Sequence, residues 1–334
     1  MSTIQATPPV LADRRGGLIF FGIVQILLGC LAFLMVLLML ISHAITRHMS
    51  GVPHNPVRFL GHGIFIYVAT GACLLVLGIG STQCRRWAQA LTLVINWIVM
   101  LAGVVATLVM AVFFPRLMMM VSARDAHPIP HGMMLFMSVF VIGILAFFTV
   151  LMPLIFVIFY SRGSVRATCE RRDSVTRWTD PVPLMVLALV VIYIWAAFNA
   201  VAQAVFIPVV PVFGIYVSGP AGAAICLALS AILVLLTFGI YRREMRAWWA
   251  ALALKVIAVV SCVTTFAHSN LADLYSRMGV SGPGIDLVIA HGQKFQRLMT
   301  MGVIGVSVAG MVYLLIVRHY FSAPAPLPPA EPAA

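Results

Sequence analysis

The chain has 334 residues, of which 62% are hydrophobic and 9% are charged, and its mean hydropathy is +1.07. Soluble domains carry about 25% charged residues, so this composition excludes a soluble globular protein. It predicts an all-α polytopic membrane protein embedded in a lipid bilayer. The formal net charge of +12 lies in short segments between apolar runs, which is typical of membrane topology and argues against nucleic acid as a partner.

In chain order, a short polar tail at residues 1–16 precedes the first apolar run. Arg14 and Arg15 match the start of a twin-arginine signal, but the following run is longer than a signal segment and lacks a small-residue cleavage site. We therefore expect this run to be the first of eight spans, each long enough to cross a hydrocarbon core of about 30 Å. The predicted spans are Gly17–Ile41, Gly63–Gly80, Ala88–Phe114, Gly132–Tyr160, Leu184–Phe206, Gly222–Ile240, Trp249–Phe266 and about Leu298–Val317.

The basic residues predict the orientation of these spans. Most arginines lie in the N-terminal tail, in the even-numbered connections and just after the last span. Because cytoplasmic loops carry the excess of Lys and Arg, both termini are expected in the cytoplasm, and the protein in the inner (plasma) membrane of a bacterial-type cell.

A segment of the second connection recurs in the sixth. Leu77–Leu93 (LGIGSTQCRRWAQALTL) aligns with Phe238–Leu254 (FGIYRREMRAWWAALAL) at an offset of 161 residues. The most informative matches are the Arg-x-Trp pairs Arg85/Trp87 and Arg246/Trp248. Since each half holds four spans, the halves are predicted to be parallel repeats related by a pseudo-twofold axis along the membrane normal.

The repeat predicts five segments. A cytoplasmic tail at 1–16 precedes a four-helix repeat at 17–160, and a cytoplasmic Arg-rich connection at 161–183 leads to a second four-helix repeat at 184–321. The Ala/Pro-rich tail at 322–334 is expected to be disordered.

Polar residues within the predicted spans give the first candidate site. All nine acidic residues lie outside the spans, which argues against a carrier driven by buried carboxylates. Lys255 is the one ionisable residue clearly inside a span, and it is predicted either to bind an anion or to extend to the cytoplasmic end of its helix. Asn199 and Gln203 share a helix face and are predicted to bind a ligand or another helix. At the offset of 161, Lys255 is matched by Val94.

Histidines give the second candidate site, because eight of the nine lie at or near the predicted outer ends of the spans. His131-Gly132 and His291-Gly292 recur close to the repeat offset. Two imidazoles placed near the pseudo-twofold axis are predicted to ligate haem or a transition metal. The alternative is that histidine is simply an interfacial residue on that side.

Three local patterns predict packing and shape. Pro153 is expected to kink the fourth span, and Leu271, Leu274 and Met278 predict a short interfacial helix. Small residues spaced along one helix face predict either internal packing or a seam between two copies of the chain. These small residues are Ser218, Gly222, Cys226 and Ser230, with Gly305 and Ala309 in the last span.

No nucleotide-binding, hydrolase or zinc-protease motif is present in the sequence. The leading hypothesis is therefore a non-enzymatic accessory or binding protein, with a membrane-protein partner or a second copy of the chain. A second hypothesis is a small-molecule transporter or channel, with a pathway between the repeats lined by Lys255, Asn199 and Gln203. A third is a haem or metal redox protein that uses His131 and His291.

Overall fold

The computed structural model describes residues 13–47, 57–122, 130–280, 289 and 292–322. Within these residues, eight helical segments are long and apolar enough to span a membrane, which confirms the predicted multi-pass helical protein. The elements of these spans are α1 (Arg15–Arg47), α2 (Val57–Thr82), α3 (Arg86–Ser122), α4 (His131–Ala146) continuing into α5 (Met152–Tyr160), α7 (Leu184–Phe206), α8 (Gly219–Tyr241), α9 (Met245–His268) and α11 (Gly292–Val317).

The remaining elements lie in the connections and at the C-terminal end. They are α6 (Gly163–Arg172), strands β1 (Val209–Val212) and β2 (Ile215–Ser218), α10 (Leu271–Met278) and α12 (His319–Ser322). The helix expected at Leu271–Met278 is confirmed. Asn270 caps it by accepting the backbone N–H of Ala272, and Gly279 ends it with a left-handed φ of 71°.

The described chain forms two compact units. The first unit comprises residues up to Ser42 together with Tyr67–Leu184, and the second comprises His43–Ile66 together with the chain from Met185 onward. The unit boundaries therefore fall within α1 and α2, so the end of α1 from His43 and the start of α2 up to Ile66 belong to the second unit.

In the first unit, α1 and α2 approach closely through paired glycines. A Cβ atom on Gly22 would lie 2.8 Å from the carbonyl oxygen of Gly78, and one on Gly78 would lie 2.7 Å from that of Gly22. Gly29 and Gly71 make a similar contact, seven residues later in α1 and seven residues earlier in α2, at 3.0 and 3.2 Å. Small residues at these points allow the two backbones to touch, which is how helices gain packing contacts inside a bilayer.

The fourth span contains a π-helical turn at Phe147–Leu151, between α4 and α5. Pro153 follows this turn, lacks a backbone N–H, and would clash with the carbonyl of Thr149 in a regular α-helix. The predicted distortion at Pro153 therefore takes the form of a widened turn. The carbonyl of Thr149 packs directly against Gly103 of α3. A Cβ atom at position 103 would overlap this carbonyl oxygen, so the contact requires glycine.

The connection after the fourth span is tied to the start of α3 by Asp173, whose side chain is 1% exposed. Its Oδ2 accepts the backbone N–H of Arg86 at 3.2 Å, and its Oδ1 lies 3.4 Å from Nη1 of Arg85. A carboxylate at this position satisfies an unpaired N–H of the first helical turn and interacts favourably with the helix dipole. Sequence analysis did not identify this contact, because it joins residues 87 apart.

The turns α2–α3 and α8–α9 have the same backbone hydrogen bonds. Arg85 donates its N–H to the carbonyl of Gly80 at 2.9 Å, and Glu244 donates to Gly239 at 2.9 Å. The preceding residues, Cys84 and Arg243, have left-handed φ values of 56° and 57°. Both turns are therefore Schellman motifs, with a left-handed residue just after the helix end.

The two turns share this geometry at an offset that differs from the offset of the predicted match. Gly80 contacts Ala88 as Gly239 contacts Ala247, so equivalent residues in the two turns are 159 apart rather than 161. Trp87 and Trp248 therefore do not hold matching places in the two turns, and an offset of 159 would match Lys255 to Asn96 rather than to Val94. Apolar matches arise easily in spans, whereas the offset between the turns is fixed by the helix ends and their glycine contacts.

Candidate intramembrane site around Lys255

A β-hairpin connects α7 to α8 in the second unit, and it was not predicted. Strands β1 and β2 pair antiparallel, and the turn residues Phe213 and Gly214 have positive φ values of 40° and 103°. Two-residue turns of this kind match the twist of the flanking strands. The two short β-branched segments separated by Phe213-Gly214 were the available signal, although Pro211 weakens it.

The tip of the hairpin is held by two hydroxyl groups of α9. Phe213 donates its backbone N–H to Oγ of Ser261 at 3.1 Å, and Gly214 donates to Oγ1 of Thr265 at 3.0 Å. Ser261 also donates to the carbonyl of Pro211 at 2.9 Å. Both hydroxyl side chains are buried. They give the turn N–H groups of the hairpin hydrogen-bond partners within the protein, which is necessary where lipid offers none.

Gln203 and Asn199 bond to nearby backbone carbonyls. Gln203 Nε2 donates to the carbonyl of Val209 at the start of the hairpin at 2.8 Å, and Asn199 Nδ2 donates to Trp195 in its own helix at 2.8 Å. Gln203 lies three residues from the hairpin end of α7, whereas Lys255 lies ten residues from the opposite end of α9. The structure therefore does not bring Gln203 and Lys255 to the same level.

The small residues of α8 pack within the second unit. Gly222, Cys226 and Ser230 are buried, and Ser230 Oγ donates to the carbonyl of Ala197 in α7 at 3.0 Å. For these residues internal packing is confirmed. In α11, a Cβ on Gly305 would meet no other described element within 4 Å, so for this residue internal packing and a seam between copies both stay predictions.

Lys255 is half-buried in the middle part of α9 and lies across Gly310 of α11. A Cβ on Gly310 would lie 3.2 Å from Cε and 3.5 Å from Nζ of this lysine. The glycine thus provides the space in which the aliphatic chain lies. Among the hydrogen bonds and ion pairs of the described residues, none involves Nζ of Lys255.

The depth of the Lys255 ammonium follows from its neighbours on α11. The indole of Trp248 donates to the carbonyl of Leu314 at 2.8 Å, and the guanidinium of Arg318 stacks 5.4 Å from the centroid of that ring. Tryptophan and arginine in this arrangement mark the membrane interface. Gly310 precedes Leu314 by four residues and Arg318 by eight, which at 1.5 Å per residue is about 6 and 12 Å. The ammonium therefore lies below the interfacial tryptophan.

The second candidate site is described only in part. His131 is exposed and begins α4 directly after Pro130, while His291 lies outside the described residues. Within the part of the chain that the structure describes, no three His, Cys, Asp or Glu side chains come together in a way that could hold a metal ion.

Comparison with protein-family models, with curated proteins and with solved structures gives no match to this chain.

Proposed function

We propose that the protein is a non-enzymatic accessory protein that binds another membrane protein through the spans of its second unit. The observation that carries this proposal is the position of Lys255, a cation inside a span whose ammonium has no counter-ion among the described residues. A charged side chain costs about 2.5–3.5 kcal/mol at the bilayer centre on insertion scales, and part of that cost applies at the level of Lys255, about 6 Å below the Trp248–Leu314 hydrogen bond. Such a residue is retained where an anionic group from elsewhere offsets part of that cost.

The hydrogen bonds of the other polar side chains support binding over transport. Gln203, Ser261 and Thr265 all hold the hairpin backbone, and Asn199 bonds its own helix. Side chains used in this way are not available to line a continuous polar pathway. Among the described residues of the second unit, Lys255 then remains as the charged group that lies away from the ends of the spans and can contribute its charge to a partner.

The proposal includes the arrangement of the two halves and the location of the termini. The matching Schellman motifs of α2–α3 and α8–α9 support two parallel four-helix repeats, related by a pseudo-twofold axis along the membrane normal. The arginine distribution supports an inner-membrane protein with both termini in the cytoplasm. A reporter fused after Tyr320, and one inserted within 161–183, are expected to be cytoplasmic, and one near Ser281 external. An external reporter at either of the first two sites would contradict this topology.

The test of function is isolation of the full chain in its native lipids. A C-terminally tagged protein, expressed at its natural level, is extracted with a polymer that encloses it in a native bilayer disc. We expect one other integral membrane protein at a fixed molar ratio, with no Soret band and no bound transition metal. Purification of the chain alone, or with haem at a stoichiometric ratio, would overturn the proposal.

A further inference from the structure

Lys255 also indicates the chemistry of the partner. Each acidic residue that the structure describes lies outside the spans, so the described part of the chain places no carboxylate at the level of the ammonium. We infer that Lys255 forms an ion pair with an Asp or Glu side chain on a membrane-spanning helix of the partner protein. This inference rests on the proposed accessory function and specifies its contact.

The depth of the ammonium favours a carboxylate on a helix over a lipid phosphate. Nζ of Lys255 lies beside Gly310, about 6 Å below the level of the Trp248–Leu314 hydrogen bond. Lipid phosphates lie outside the tryptophan level, in the headgroup region where Arg318 is placed to meet them. A side-chain carboxylate projecting from a neighbouring helix reaches the deeper level directly.

The space around Lys255 is compatible with close approach of such a helix. Lys255 is only half-buried, and one turn along the same face of α9 Ala258 is exposed and Val259 is half-buried. On α11, Val306 lies one turn from Gly310 on the same helix face and is 56% exposed. A partner helix can therefore contact this surface without first displacing side chains.

A zero-length cross-link tests the ion pair directly. In native bilayer discs, the membrane-soluble reagent dicyclohexylcarbodiimide adds to a carboxylic acid to form an O-acylisourea. The neutral amine of Lys255 attacks the acyl carbon, an amide bond forms, and dicyclohexylurea leaves with the carboxyl oxygen. We expect mass spectrometry to identify a peptide containing Lys255 joined to an Asp or Glu within a span of the co-purified protein.

Two variants provide the matched controls. Lys255→Arg keeps the charge but lacks the reactive amine, so we expect the partner to be retained and the cross-link to be lost. Lys255→Met keeps much of the aliphatic chain but removes the charge, and the recovered partner is expected to fall about tenfold or more. Slow hydrogen exchange at the hairpin tip checks that each variant is folded.

The outcomes separate the inference from the proposed function. If the unmodified chain co-purifies with no other membrane protein, the proposed function fails. If Lys255→Met is folded and retains the partner as well as the unmodified chain does, the inference fails while the function stands. A complex that stays intact but yields no amide, or an amide to the carboxyl group of a lipid, also overturns the inference. Should Lys255→Met not fold, the cross-link in the unmodified chain decides alone.

Discussion

Thr265 is the residue at which the hairpin can be tested most directly. Its side chain is fully buried, and its hydroxyl accepts the N–H of Gly214 while donating to the carbonyl of Ser261 in its own helix. The substitution Thr265→Val keeps the volume but removes the acceptor. The Gly214 N–H then loses its partner, and we expect the hairpin tip to detach more often from α9.

The magnitude follows from the hydrogen bond that is lost. A buried donor left without an acceptor costs about 1–3 kcal/mol, although hydrogen bonds inside membrane proteins contribute about 0.6 kcal/mol on average and up to about 1.7. Because Gly214 is only half-buried, we expect a loss near the upper membrane value. A change of about 1.4 kcal/mol corresponds to about a tenfold increase in the opening equilibrium of the tip.

The opening equilibrium of the hairpin tip can be measured by hydrogen-exchange mass spectrometry on peptides that cover Val209–Ser218. The matched control is Thr264→Val, since Thr264 is adjacent but its hydroxyl bonds only to carbonyls of its own helix. We expect about tenfold faster exchange at the tip in Thr265→Val and less than about twofold in Thr264→Val. Equal exchange in the two variants would refute the assignment of Thr265 as the anchor.

Three further predictions concern the first unit. Gly103→Ala is expected to lower the free energy of unfolding in a denaturant titration by about 1–3 kcal/mol, because the new Cβ would overlap the carbonyl oxygen of Thr149 in the π-turn. The control Gly143→Ala should be nearly neutral, since its Cβ would meet no other described element within 4 Å. Equal losses in the two variants would contradict this packing. Asp173→Ala is expected to lower the free energy of unfolding by about 1–2 kcal/mol, because the start of α3 loses its side-chain cap. An unchanged midpoint of denaturant unfolding would argue against the cap. Burial raises the pKa of the Cys169 thiol from 9.0 to about 12. Above pH 9 the unfolded chain therefore loses a proton that the folded chain retains, so the free energy of unfolding should fall as pH rises. Cys169→Ala should reduce that slope, and an identical slope in the variant would rule out this thiol as a cause.

The spans were predictable from the sequence because continuous apolar runs have no other stable location. Leu184–Phe206 was predicted with its observed bounds, and other helices extend a few residues beyond the predicted limits. The hairpin was not predicted, because its eight strand residues are almost continuously apolar, do not alternate with polar residues and include Pro211. Its anchors are also distant in sequence, since Ser261 is 48 residues from Phe213.

For the candidate site, the sequence predicts that a lysine lies within a span, but it does not predict which residues that lysine contacts. A lysine inside an apolar run is conspicuous in any sequence, so Lys255 was identified from charge alone. Its contact with Gly310 was not, because nothing in the pattern of α11 indicates which glycine faces α9. The role of Gln203 likewise depends on the hairpin carbonyl that it meets, so it could not be inferred before the hairpin was known.

The cap that Asp173 provides has a consequence for the order in which the first unit is completed during synthesis. Ribosomes deliver the chain from its N-terminus, so α3 is made and inserted long before residue 173 leaves the exit tunnel. Until then, the first-turn N–H of Arg86 has no side-chain acceptor, and the turn at Cys84 is closed by its own backbone alone. The first unit therefore finishes folding only after its fourth span is in place, when the following connection returns to the start of α3.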